Sequence, residues 1–118
     1  MITEFDKNIP IYLQIEEIIK LAIIKEEYKI GEKLPSVREY ALMLKTNPNT
    51  INRALLELEE EGLIKTQRTN GKYVSEDEHI ITKAKQEYIK KSTNDFINKM
   101  KDINVSKKEI LDLIKEGE

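Results

Sequence analysis

A chain of 118 residues can hold one small core and an appendage, but not two independent cores of ordinary size. It has no cysteine and one histidine, which excludes disulfide staples, thiolate metal sites and imidazole clusters. Its net charge of −2 argues mildly against a nucleic-acid binder, yet residues 40–56 carry Lys45 and Arg53 without a carboxylate, and residues 62–75 carry Lys65, Arg68 and Lys72 without one.

The acids crowd elsewhere, as at Glu57, Glu59, Glu60 and Glu61. At physiological salt, fields decay over about 8 Å, so a phosphate surface responds to local charge more than to the total. The apolar run Ile18 to Ile24 is broken by Lys20 and flanked by Glu16, Glu17 and Lys25, too short and too charged to span a membrane. No signal-peptide pattern opens the sequence. A soluble, cytoplasmic protein without membrane partners is expected.

The first helix is expected from about residue 10 to 27. Pro10 suits the first turn, and Ile11, Ile15, Ile18 and Ala22 fall on one stripe. Leu13 and Ile24 lie nearly opposite, giving this helix a second apolar surface. Tyr28 to Lys33, centred on Gly31, reads as a turn. Ser36 and Glu39 form a capping box opening a second helix, whose buried face is Val37, Tyr40, Ala41 and Leu44.

Lys45-Thr46-Asn47 turns the chain into a third helix, with Asn47 as N-cap and Pro48 as first helical residue. Ile51, Ala54, Leu55 and Leu58 face the core, and Gly62 ends the helix. Two strand-like runs, Leu63 to Gln67 and Lys72 to Ser75, flank Asn70-Gly71, a pair suited to a tight hairpin turn. Ser75 and Glu78 are placed to cap a fourth, continuous helix carrying Ile81, Ala84, Tyr88, Phe96 and Met100. Ser106 and Glu109 repeat the box before Ile110, Leu111, Leu113 and Ile114.

The expected fold is therefore mainly α with a small β-hairpin. A winged helix-turn-helix domain occupies residues 1–75, and a two-helix C-terminal dimerisation tail occupies residues 76–118. Ile81, Ala84, Tyr88, Phe96, Met100, Ile110 and Ile114 are the expected dimer interface. Two helices alone have little to bury against, and a partner subunit supplies the missing surface.

Residues 9 to 74 resemble the GntR family of bacterial transcription regulators, and its short YtrA-type branch in particular. The resemblance is carried by Ile9-Pro10-Ile11-Tyr12 with Gln14-Ile15, by Gly31 with Leu34-Pro35-Ser36 and Arg38, and by Asn47-Pro48-Asn49-Thr50-Ile51. It continues through Leu58-Glu59, Glu61-Gly62-Leu63-Ile64 and Gly71 with Tyr73-Val74. The resemblance implies a dimeric DNA-binding regulator, commonly a repressor and often of transporter genes. Such regulators bind inverted repeats, and this branch pairs its subunits through the short tail. Many relatives have Ser-Arg or Thr-Arg where Asn47-Pro48 stands here, another basic residue at Asn52, and a glycine at Thr69.

In this frame Asn49, Asn52 and Arg53 project away from the Ile51 and Leu55 stripe toward a major groove. The two asparagines suit adenine edges, and Arg53 suits guanine or a phosphate; the bland alternative is a solvated helix surface. Leu56, on the same outward side, meets a thymine methyl or nothing. Ser36 and Arg38 sit beside a helix N-terminus that favours phosphate, although Arg38 could instead pair with Glu39 or Glu57. Asn47 joins this set, and Thr50 reaches a phosphate or satisfies the helix's first turn. In the wing, Arg68, Thr69, Asn70 and Lys72 are candidates for phosphates or an A·T-rich minor groove, with Asn70 and Gly71 also serving the turn.

No nucleophile and base are marked out by a motif and no Gly-rich phosphate loop is present, so no enzyme and no cofactor is expected. His79 is expected to be a solvated side chain, not a metal ligand. The expected partners are double-stranded DNA and a second copy of the chain. A small-molecule effector, if one is used, is expected near Tyr88 and the outer side of the first helix. The competing reading is a protein-interaction winged helix that never touches nucleic acid.

Overall fold

The computed structural model describes residues 4–67 and 71–117. The elements in order are α1 (Ile11–Ile24), α2 (Val37–Leu44), α3 (Pro48–Glu60), β1 (Ile64–Thr66), β2 (Lys72–Val74), α4 (Glu78–Asp102) and α5 (Lys107–Glu116). They form two compact units, Met1–Lys83 and Ala84–Glu118.

In α1 the buried stripe is Ile15, Ile19, Ala22 and Ile23, with Ile11 and Ile18 only half-buried. The face that meets α3 is thus rotated toward Ile19 and Ile23, and it takes Glu16 inward with it. Leu13, on the expected second apolar surface, is exposed and Ile24 is half-buried. The helix stops three residues before the expected end. Glu26 adopts φ 63°, and the amides of Glu26 and Glu27 donate back to the carbonyls of Ile23 and Ala22. That is a Schellman cap built on a glutamate, so no glycine signals it in the sequence. Before the helix, the Gln14 amide clamps the incoming chain: its Nε2 donates to the carbonyls of Asp6 and Ile9, and its Oε1 accepts from the Asp6 amide.

The helix-turn-helix forms as its signals dictate. The Ser36 hydroxyl accepts from the Glu39 amide, and the Glu39 carboxylate accepts from the Ser36 amide at 3.0 Å. Those bonds hold the Glu39 carboxyl below its ordinary range. Lys45 makes the turn at φ 50°, and α3 starts at Pro48 with the Asn47 carbonyl-type side-chain oxygen accepting from the Asn49 amide at 2.7 Å. Ile51, Ala54, Leu55 and Leu58 are fully buried against Ile15, Ile19, Tyr40 and Leu44, which share the same core. The Tyr40 hydroxyl within that core is satisfied by donating to the Tyr28 hydroxyl at 3.0 Å. Burial, reinforced by that bond, raises the Tyr40 pKa.

Gly62 ends α3 one residue after its C-cap, at φ +83°, where its amide donates to Glu59 and that of Leu63 to Leu58. The positive φ is what calls for glycine, and a Cβ there would stand 3.1 Å from Ile80 Cδ1, close enough that this methyl would have to give by a few tenths of an ångström.

The hairpin pairs β1 and β2 antiparallel in the register Ile64↔Val74, Lys65↔Tyr73 and Thr66↔Lys72. Thr66 opposes Lys72 and the Gln67 amide donates to the Gly71 carbonyl, so the connection is longer than Asn70-Gly71 alone. Gly71 does take positive φ, at +96°, while Arg68, Thr69 and Asn70 lie outside the described residues. The segment expected as a plain turn also does more. Gly31 and Leu34 donate to the carbonyls of Val74 and Lys72, and Val74 donates to Glu32, so β2 is hydrogen-bonded on both edges.

Helix α4 is continuous, as the sequence indicated, but its cap is displaced by two residues. Asp77, not Ser75, accepts from a helix amide, that of His79 at 2.9 Å, while the Ser75 hydroxyl accepts from Asp77. Within the second unit, α4 ends in another Schellman cap on Asn104 (φ 63°), with Val105 and Asn104 donating to Met100 and Lys101. The Ser106–Glu109 capping box opens α5.

Candidate nucleic-acid interface

Helix α3 presents two different ends. Its N-terminal half exposes Asn47, Asn49, Asn52 and Arg53, with Thr50 half-buried, while the inward side of the same turns is completely sealed. Asn47 is already used as the cap through its oxygen, which leaves its NH2 free to donate outward. Leu56 lies on the outward side and is 47 % exposed.

The C-terminal half ends in Glu57, Glu59, Glu60 and Glu61 with no basic residue in the last turn, a poor match to the helix dipole. Three of these acids are tied down by neighbours. Glu61 pairs with Lys20 of α1 at 3.3 Å, and Glu59 pairs with Lys72 of β2 at 3.2 Å and accepts from the Thr66 hydroxyl of β1. Thr66 first, and Lys72 with it, hold the Glu59 carboxyl below its ordinary range. Glu57 meets Glu16 of α1. Each of that pair has a buried Oε2 with no donor to accept from, and burial followed by the Glu57 contact pushes Glu16 up to about 7. A proton retained on Glu16 supplies a donor at this contact. The recognition helix is thus anchored by its acidic end to α1 and to the hairpin, and its acid-free end projects.

Arg53 does not hang free. Its Cζ lies 3.7 Å from the centroid of the Tyr12 ring at the start of α1. Sequence patterning placed Arg53 on the outward face but gave no sign of this stack; Tyr12 entered only through the family resemblance.

Ser36 and Arg38 are exposed at the start of α2, and Arg38 forms no ion pair among the described residues. In the hairpin the acid-free stretch of sequence is not acid-free in space. Lys65 faces Glu76 at 3.6 Å, and Lys72, its side chain only 16 % exposed, donates to Glu59 and to the Thr66 hydroxyl. Those acids come from α3 and from the residue after the hairpin, which no reading of residues 62–75 alone could include. His79 is exposed, and no acid or histidine cluster able to hold a metal occurs among the described residues.

The tail positions behave differently from those of the first unit. No residue of α4 is fully buried: Ile81, Ala84, Tyr88 and Met100 are half-buried and Phe96 is exposed. On α5, Ile110 is buried and Ile114 exposed. Phe96, Ile97, Ile110, Leu111 and Ile114, with Thr93 and Lys107, line an open apolar hollow of about 210 Å3. No helix of the described residues is long and apolar enough to cross a membrane.

The model of the bacterial regulatory proteins of the gntR family matches residues 11–74. The chain is 37% identical over 115 residues to the uncharacterized HTH-type transcriptional regulator YhcF of Bacillus subtilis (strain 168), covering 98% of this chain and 95% of that one. It is 51% identical over 67 residues to the HTH-type transcriptional repressor YtrA of the same organism, covering 57% of this chain and 52% of YtrA. Among solved structures, a GntR family transcriptional regulator from Listeria monocytogenes superposes with a TM-score of 0.88 at 41% identity, covering 95% of this chain and 98% of that one. All three relatives bear the names of transcription regulators. With the winged helix and its projecting third helix in place, this chain belongs to the GntR family of DNA-binding bacterial transcription regulators.

Proposed function

We propose that the chain is a cytoplasmic repressor that binds a palindromic operator as a homodimer, with transporter genes the expected targets. Residues 1–75 form the DNA-binding domain and residues 76–118 the pairing tail. The observation carrying this reading is the divided character of α3, whose sealed and anchored side fixes Asn49, Asn52 and Arg53 on an acid-free outer face. The asparagines match adenine edges and Arg53 a guanine. Ser36, Arg38, Asn47 and Thr50 then hold phosphates. Arg68, Thr69 and Asn70 reach the DNA from the wing, with Lys72 steadying the wing from behind through Glu59.

The test is selection of bound duplexes from a random pool, followed by Arg53→Ala. Loss of a base contact weakens the selected duplex by about 10- to 100-fold and random duplex far less. Equal loss on both would assign Arg53 to phosphate, and a pool that yields no enriched sequence would favour the protein-interaction reading instead.

The pairing tail is supported by α4, which has no fully buried residue, and by the apolar hollow around Phe96 and Ile114. A two-fold dimer sets its recognition helices on half-sites about 34 Å apart or a multiple of that. Phe96→Glu is expected to shift the sedimentation mass from two chains toward one chain of 13.8 kDa, by putting a charge in the interface. A variant that stays dimeric would move the interface elsewhere.

A further inference from the structure

The contact between Tyr12 and Arg53 has a geometry that matters for reading bases. Carbon atoms in contact sit about 3.5 to 4.0 Å apart. At 3.7 Å from the ring centroid, the Arg53 Cζ is at that limit, which a planar guanidinium reaches only by lying nearly flat on the ring. An edge-on approach would interpose a nitrogen and hold the carbon farther off.

A flat stack uses the π face of the guanidinium and leaves its N–H donors pointing outward in the plane, where a bidentate contact to guanine O6 and N7 is made. Stacking and base reading are therefore compatible in one conformation. The usual competitor for such an arginine is a carboxylate one helical turn away, here Glu57. That carboxyl is turned into its pair with Glu16, and Arg53 forms no ion pair among the described residues. The Tyr12 ring is then the group that decides where the guanidinium rests before DNA arrives.

We infer that Tyr12 is a positioning residue for sequence recognition: its ring holds the Arg53 guanidinium flat and edge-out, removing rotamer freedom that would otherwise be lost on binding. This rests on the reading of Arg53 as a base contact. A long arginine side chain is flexible when unsupported, and pre-ordering it strengthens the complex that needs one geometry, the specific one. Contacts with phosphate, which tolerate several geometries, gain little.

The test uses the full chain and two labelled duplexes, one recovered by selection from a random pool and one of random sequence and equal length, with affinities read by fluorescence anisotropy at fixed salt. Tyr12→Leu is expected to weaken the selected duplex about tenfold and the random duplex less than about twofold. Tyr12→Phe and Tyr12→Trp keep an aromatic face and are expected to bind within about twofold of the parent. In an Arg53→Ala background, Tyr12→Leu is expected to add nothing, because the group it positions is gone.

If Tyr12→Phe falls as far as Tyr12→Leu, the hydroxyl touches DNA directly and the proposal is overturned. It is overturned equally if Tyr12→Leu weakens both duplexes alike or keeps its full effect beside Arg53→Ala. Arg53→Ala by itself reports on the underlying reading. Should it weaken both duplexes equally, the base contact is what fails, and the positioning role goes with it.

Discussion

Glu16→Gln is expected to stabilise the protein at pH 8 and to leave it little changed at pH 4. Glu16 is buried to 9 % exposure between α1 and α3, beside Glu57, with Glu61 and Lys20 close by, and its pKa is pushed from 4.5 to about 7. A carboxyl whose folded pKa exceeds its unfolded one binds a proton more tightly in the native state. The stability it confers is therefore fully present below pH 4.5 and is lost as pH rises through about 7. Raising the pKa from 4.5 to about 7 corresponds to about 3 kcal/mol across that window.

Glutamine keeps the shape of a protonated glutamate and offers a permanent N–H donor to Glu57, so the variant should lose most of that slope. Urea unfolding of both proteins at intervals from pH 4 to 8 is the measurement. Parallel curves, with no narrowing of the difference toward acid pH, would mean that no proton is held there. A Glu57→Gln variant tests the same pair from the recognition helix, and the two substitutions should not be additive.

The second large effect is expected for Leu55→Ala, at a cost of about 2–5 kcal/mol. Leu55 has no exposed surface and stands on α3 in the core shared with α1 and α2. Truncation there leaves a cavity in a domain whose whole stability is of the order of 5–15 kcal/mol. The adjacent Leu56 is 47 % exposed, and Leu56→Ala should change the urea midpoint by no more than about 0.5 kcal/mol equivalent. The pair is a direct test of how α3 is oriented. Similar losses at both positions would place the outward face, and with it Asn49 and Arg53, somewhere other than in solvent.

Much of this molecule was legible residue by residue because its signals are local. Asn47-Pro48, the two Ser-x-x-Glu boxes and Gly62 each satisfy backbone groups within one turn, and each element starts or stops where they stand. The Ile51, Ala54, Leu55 and Leu58 stripe repeats at helical spacing and is buried throughout. The misses have equally local causes. Glu26 closes α1 at positive φ without a glycine to announce it, and Asp77 displaced Ser75 as the cap of α4 because both are competent acceptors two residues apart.

What the sequence determined by itself was the run of helix, helix, helix and hairpin and which side of α3 is oily, since caps and periodicity act over a few residues. Only the tertiary structure decided the company each charge keeps. Glu59 reaches Lys72 across thirteen residues, Lys20 reaches Glu61 across forty-one, and Tyr12 lies under Arg53. Coulomb and stacking energies depend on distance in space, and residues far apart in the chain become neighbours only after the core has brought α1, α3 and the hairpin together.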